Sequence, residues 1–210
     1  TITDLPGITS LLPLGKIVAN SSNPNIPTSL KVSNMEQLIN LDGLEHVSID
    51  EGYLTINDNP VLTNISALGN IGIIRTATIF NNDALLNLQG LEHLKGMPAS
   101  NLDLYISNNA SLSSLDALSN LTTPYLNLYL EHNPALTNLN GLEKITGGIF
   151  TIFNNAGLNS LSGLENVSAV DFLTIVGNAS LNDLSALNNL TSAYKLIVSN
   201  NPALTNLTGL

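Results

Sequence analysis

LYLEHNPALTNLNGLEKI, residues 128–145, returns as LTINDNPVLTNISALGNI from Leu54 and as FTIFNNAGLNSLSGLENV from Phe150. Aligned on the opening apolar-x-apolar pair, the repeats start at Leu30, Leu54, Ala77, Leu104, Leu128, Phe150, Leu173 and Leu196, spaced 24, 23, 27, 24, 22, 23 and 23 residues apart. Self-similarity at a period of about 20 to 29 residues marks a solenoid, in which no unit buries its apolar face alone and stacked neighbours bury it together.

The working consensus is L-x-[IL]-x-x-N-x-x-L-x-x-L-x-[GA]-L-x-x-[ILV], and each part has a physical reading. The opening pair, as in Leu54-Thr55-Ile56 or Leu173-Thr174-Ile175, alternates apolar with polar and reads as a short strand with one buried face. The Asn five places on recurs at Asn59, Asn82, Asn109, Asn133, Asn155, Asn178 and Asn201, followed by Pro or a small residue everywhere except at Asp83. Its amide can leave the strand, tolerate a turn, and bond to backbone groups that the turn frees, so the column predicts a buried ladder. Beyond it, apolar residues at every third place, such as Leu136, Leu139, Leu142 and Ile145, suit a tight extended or 3₁₀-like return path better than an α-helix.

These elements predict an all-β fold, a parallel β-helix-like solenoid of the leucine-rich-repeat kind with about eight coils of 22–27 residues, forming one domain over residues 1–210. At about 4.8 Å per rung the rod is on the order of 40 Å long. Ile2, Leu5, Ile8 and Leu11, with Gly7 in the Gly place, read as the return half of a partial zeroth coil over residues 1–11. Residues 12–29, with NSSNPNIP, read as an inserted loop or cap segment, and the tandem coils occupy 30–210, with Met35 where the first ladder Asn belongs. The last coil stops without a polar cap, which raises the expectation of a longer solenoid, or of end-to-end contact through uncapped coils.

Composition narrows the chemistry. The chain has 210 residues, 43% apolar, with no Cys and a formal net charge of −10. Its apolar content excludes a disordered acidic tail. No apolar run approaches the roughly 18 residues of a spanning helix, so membrane insertion of this segment is not expected. Six scattered cations (Lys16, Lys31, Arg75, Lys95, Lys144 and Lys195) against 16 acids cannot neutralise a phosphate track, which counts against nucleic acid. The missing cysteines exclude a disulfide scaffold, thiolate metal sites and thiol catalysis.

Catalytic and metal constellations are not evident, and neither a cofactor nor an enzymatic activity is expected. His46 and His93 hold the same place two rungs apart, about 10 Å, too far for one metal. The acids Asp42, Asp50, Glu51, Asp58, Asp83, Asp103, Asp116, Asp171 and Asp183 fall in different phases of the repeat, unlike the clustered acids of a pectin-cleaving β-helix. Glu45, Glu92, Glu143 and Glu165 follow the G-L pair and form an acidic stripe, read as a solvated face or, less simply, a cation trap. Eight N-x-S/T sequons occur, at Asn20, Asn64, Asn109, Asn120, Asn166, Asn178, Asn189 and Asn206. Asn109 and Asn178 are ladder positions with no room for a glycan, which favours an organism that does not glycosylate such sites.

Counting alternately from each start gives outward columns one before, one after and three after it. They hold Tyr53, Phe80, Tyr105, Tyr129, Phe153 and Phe172, six of the nine aromatic residues, and these are the candidate ligand contacts. Strand propensity and cross-strand stacking also place Tyr, Phe and Thr on strands without any ligand, so both readings stay open.

The phrase L-x-I-x-x-N-P-x-L-x-x-L-x-G-L-x-x-I, clearest at Leu54, Leu128 and Leu196, resembles the receptor L-domain branch of the leucine-rich-repeat superfamily, and residues 141–158 (GLEKITGGIFTIFNNAGL) are especially similar to it. The resemblance spans Leu30 to Leu210 and implies a right-handed solenoid and binding of proteins or other ligands outside the cell. Ordinary leucine-rich repeats have N-x-L where this chain has N-x-x-L, and animal receptor domains carry cysteines absent here. A Cys-free, Asn- and Thr-rich version is more similar to bacterial surface proteins. The expected function is therefore a non-enzymatic extracellular binding or adhesion module, holding a protein or glycan on its sheet face at the surface of a bacterium. The alternative is a structural spacer of a larger surface protein; a carbohydrate-active enzyme and an ice-binding face are more remote.

Overall fold

The computed structural model describes residues 1–3, 28–49, 51–98 and 100–210. Among them every strand belongs to one parallel sheet: β1 (Ile2–Thr3), β2 (Ser29–Ser33), β3 (Gly52–Asn57), β4 (Ile73–Phe80), β5 (Lys95–Gly96), β6 (Leu102–Ser107), β7 (Leu126–Glu131), β8 (Gly147–Phe153), β9 (Ala169–Val176) and β10 (Ser192–Ser199). The strands stack in chain order, with short β5 beside β4 as a side branch. One strand per coil and an irregular return path make a β-solenoid.

Register follows the repeat. Leu30 pairs with Leu54, Leu54 with Ala77, Ala77 with Leu104, Leu104 with Leu128, Leu128 with Phe150, Phe150 with Leu173, and Leu173 with Leu196. Slipping by one residue would turn the buried set outward, so the hydrophobic alternation fixes this pairing. In the coil from Leu128, all six apolar positions (Leu128, Leu130, Leu136, Leu139, Leu142 and Ile145) are at most 1% exposed. The eighth coil lays Leu196, Leu207 and Leu210 open, at places buried in the coils before it.

The asparagine column forms a continuous ladder. Asn133 donates its backbone N–H to Asn155 Oδ1 at 3.0 Å, and its Nδ2 donates to Ile106 O one coil back and to Glu131 O in its own coil, both at 3.0 Å. Its Oδ1 in turn accepts from the backbone N–H of Asn109 at 3.2 Å. The N–H-to-Oδ1 step repeats from Asn82 to Asn109, from Asn155 to Asn178 and from Asn178 to Asn201. Met35 in the first full coil has no amide to offer, and its N–H still donates to Asn59 Oδ1. Only a primary amide can accept from a neighbouring coil while donating both to that coil and to its own.

The return path is a series of i to i+3 turns, as in Leu142 N–H to Leu139 O and Ile145 N–H to Leu142 O. Where the consensus [GA] is Ala, the turn is a short 3₁₀ helix: Ser66–Leu68, Asp116–Leu118 and Ser185–Leu187. Where it is Gly, the backbone switches to positive φ; at Gly141 φ is 108° and an added Cβ would stand 2.1 Å from Leu115 O. The residue before each ladder position is also left-handed in every full coil: Asn34, Asp58, Asn81, Asn108, His132, Asn154, Gly177 and Asn200. Asn, Asp, His and Gly are the residue types that tolerate this region at least cost.

Three expectations change. Ile2 and Thr3 pair with Val32 and Ser33, so Ile2 sits in a strand place rather than in the return half of a zeroth coil. Ser29 opens β2 instead of closing the insertion; Leu5, Gly7, Ile8, Leu11 and residues 12–27 lie outside the described residues. The outward column three after each start is also not uniformly outward, because Ser33 and Asn57 are 1% and 6% exposed.

Replacing Asn133 by Ala strands a buried N–H of Asn109 and a buried carbonyl of Ile106, each costing about 1–3 kcal/mol. The expected result in urea unfolding is a loss of about 3–5 kcal/mol for Asn133→Ala and about 1–2 kcal/mol for Asn201→Ala at the end of the ladder.

Candidate binding surface

On the outer face of the strands, side chains of adjacent rungs form pairs at particular places. Asn127 Nδ2 donates to Asp103 Oδ1 at 2.7 Å across adjacent rungs. Tyr105 and Tyr129 stack at 4.5 Å between centroids and 8° between planes, so each ring covers one face of the other. Burial, followed by the Asp103 carboxylate and then Tyr129, pushes the Tyr105 phenol up from its ordinary value. The stack takes one face of each ring away from solvent.

The other expected contacts are spread along the rod. Tyr53 and Phe172 share a column five rungs apart, about 24 Å, and Phe80 and Phe153 share another three rungs apart, about 14 Å. Phe153 meets His132 edge-on at 5.4 Å. The six aromatics therefore do not converge.

Convergence occurs instead at a break in the alternation. Gly148 pairs with Val170 but Ile149 pairs with Phe172, which leaves Asp171 as the extra residue of a β-bulge in β9. A bulge re-aims a side chain, and Asp171 turns out to meet the phenol of Tyr125, which donates to Asp171 Oδ2. These residues belong to the fifth and seventh coils, about 10 Å apart, and the intervening coil there has Gly147 and Gly148, which put no side chain in the way. Gly148 has φ 149°, and a Cβ on it would stand 1.9 Å from Leu126 O.

Next to this bond, Tyr194 is 83% exposed and meets Phe172 edge-on at 5.7 Å. Tyr125, Asp171, Ser192 and Tyr194, over a floor of Ala169, Val170 and Ala193, line a cleft of about 290 Å³. Of this group only Phe172 belongs to the aromatic set picked out by counting. The bulge shifts the outward phase, and Tyr125 precedes β7, so simple alternation passes over Asp171, Tyr194 and Tyr125. A signal for them was present in the Gly-Gly at 147–148, which opens space between two rungs.

The acidic stripe has a local role. In four of the Gly-type turns the Gly N–H donates to the carboxylate two residues on: Gly43 to Glu45 at 3.0 Å, Gly90 to Glu92 at 2.9 Å, Gly141 to Glu143 at 2.9 Å and Gly163 to Glu165 at 2.8 Å. The Gly43 N–H holds the Glu45 carboxyl below its ordinary value. Ten places after each start, Asn40, Asn64, Asn87, Ser114, Asn138, Ser160, Asp183 and Asn206 accept from the N–H two residues on, at 2.7–3.1 Å. Asn166 and Asn189 donate to Glu143 O and Glu165 O of the preceding coils, both at 2.7 Å. The described sequons thus fall on columns where Asn serves the fold, and Asn109 and Asn178 are fully buried. Among the described residues no three His, Asp or Glu side chains gather as a metal site, and no helix is long and apolar enough to cross a membrane.

Burial, then the bond to Asp171, pushes the Tyr125 phenol up from 10.0 to about 12. A raised phenol keeps its proton in the fold while the unfolded chain loses it, so this contribution to stability is present below pH 10 and disappears as pH climbs towards about 12. Ultraviolet difference titration should show one late-ionising tyrosine in the native chain, and Asp171→Asn should bring that ionisation back down. The chain matches no family model, no curated protein and no solved structure.

Proposed function

We propose that this chain is a non-enzymatic binding module of an extracellular bacterial surface protein, and that its sheet face holds a glycan at the Tyr125–Asp171–Tyr194 cleft. The observation that carries the reading is the combination of exposed rings, a fixed carboxylate and an adjacent hydroxyl around one concavity. A pyranose ring presents a C–H face that packs on an aromatic side chain, and hydroxyls that a carboxylate accepts from. Asp171 is held by Tyr125, so the acceptor is oriented before ligand arrives, which lowers the ordering cost of binding. Asp103 and Asp171 are both committed to bonds with neighbours, which supports binding over hydrolysis. Membership of the receptor L-domain branch and placement outside the cell belong to the same proposal and rest on the repeat phrase and on the sequons tied up in the fold.

The test is a glycan array followed by titration calorimetry. Tyr194→Ala should weaken the best glycan about tenfold with circular dichroism unchanged, since one aromatic contact is worth about 0.5–1.5 kcal/mol. Tyr105→Ala/Tyr129→Ala should lower stability and leave affinity nearly intact. Absence of glycan binding by the parent chain would leave the spacer reading in its place.

A further inference from the structure

The repeat spacing departs from 22–24 residues once, at the 27-residue step between Ala77 and Leu104. The surplus follows β5, whose Lys95 and Gly96 pair with Ile73 and Ile74 of β4 before pairing resumes between Thr76 and Asp103. Gly96 N–H also donates to Thr122 O at 3.3 Å, which ties this short strand to the next coil. Between them opens a cleft of about 330 Å³ lined by Lys95, Lys144, Thr122 and Thr123 over Ile73, Pro98 and Pro124.

Its electrostatics are unlike the rest of the rod. The chain carries a net charge of −10 and only six Lys and Arg residues. Two of those cations line this one cleft, and no acid does. Lys144 Nζ donates to Asn120 Oδ1 at 2.9 Å, and the Lys95 ammonium has no hydrogen-bond or ion-pair partner among the described residues. Arg75, by contrast, is spent on Glu51 at 3.6 Å. Two uncompensated ammonium groups above an apolar floor, with two threonines beside them, complement an anionic group on a small body that is partly apolar and rich in hydroxyls.

This cleft adjoins the tyrosine cleft. Pro124 lines the first and Tyr125 the second. The Thr123 hydroxyl fixes the junction, donating to Tyr125 O at 3.0 Å and accepting its N–H at 3.4 Å. We infer that the two clefts form one track along the corner that leads into the strands, and that the track takes an acidic saccharide chain, its carboxylate at Lys95 and Lys144 and a ring of the same chain at Tyr125 and Tyr194. The inference rests on the glycan reading of the tyrosine cleft and adds the charge, polymeric form and direction of the ligand.

The experiment titrates the folded chain with a uronate oligomer, a neutral oligomer of equal length and a glutamate peptide, at low and high salt. The parent should prefer the uronate oligomer over the neutral one by about tenfold, the size expected from two exposed ion pairs. Lys95→Ala/Lys144→Ala and high salt should each erase that preference; Lys31→Ala, a cation removed elsewhere, should change it less than twofold. Tyr194→Ala should weaken both oligomers. Equal binding of the two oligomers by the parent overturns the track while leaving the glycan reading. So does uronate binding that is indifferent to Tyr194→Ala, or a glutamate peptide that binds as well. Failure of both oligomers to bind overturns both inferences.

Discussion

The buried asparagine amide is the interaction on which the rest of this rod depends. A chain that leaves a strand and turns inside a stack of coils exposes backbone groups that no water can reach, and each such group left unpaired costs about 1–3 kcal/mol. Asn meets the need because one planar side chain offers an acceptor to the coil before it and donors to carbonyls in two coils. Asp cannot donate when ionised, and Gln places its amide one methylene too far out. The result has a direction: N–H groups point towards the C-terminal end and side-chain oxygens face back, from Met35 to Asn201. That polarity, together with the apolar alternation, holds all full coils in one register.

The return path solves the same problem locally. Its residues are too irregular to form a second sheet, so each turn is closed by a side chain two residues from the N–H it satisfies, once at the Asn, Ser or Asp column and again at the Gly–Glu pairs. Ala-type turns take the 3₁₀ form and dispense with the Glu. Gly-type turns reach positive φ, where the chain approaches the previous coil too closely for a Cβ. Many asparagines that read as glycosylation acceptors are the residues these turns require, which explains their frequency without any appeal to modification.

How much of this the sequence discloses depends on whether a feature repeats. Leucine starts, the ladder and the three-residue return period recur often enough to be read directly, and the strand pairing follows them residue by residue. The second polar column was hidden because three residue types share its job, and the left-handed column because it lies beside the more conspicuous ladder Asn. Ser33 and Asn57 were misplaced because alternation tells which side of a strand a residue faces, not what packs over that side. Asp171 and Tyr194 were missed for the opposite reason: a bulge, which no periodic count can detect, changes the phase just ahead of them.

That distinction bears on where a ligand belongs. In the regular part of the face, Tyr105 stacks on Tyr129 and the Asn127 amide bonds the Asp103 carboxylate, so these side chains are partly taken up by one another. Arg75 and Asp171 are the bulge residues of β4 and β9, and the 27-residue spacing is the one long step; these are the places where the repeat gives up pairing that it keeps elsewhere. Arg75 is spent on Glu51, which accounts for the first bulge as structure. The second bulge places Asp171 on the phenol of Tyr125, the long step follows the pairing of β5 with β4, and both open onto the same corner of the rod, beside Thr123 and Tyr125. In a solenoid whose stability is a sum of neighbour terms, irregularity costs stability in the coil that carries it and in the coils on either side. Two such departures meet at one junction, and that coincidence is the reason the proposed ligand track is placed there.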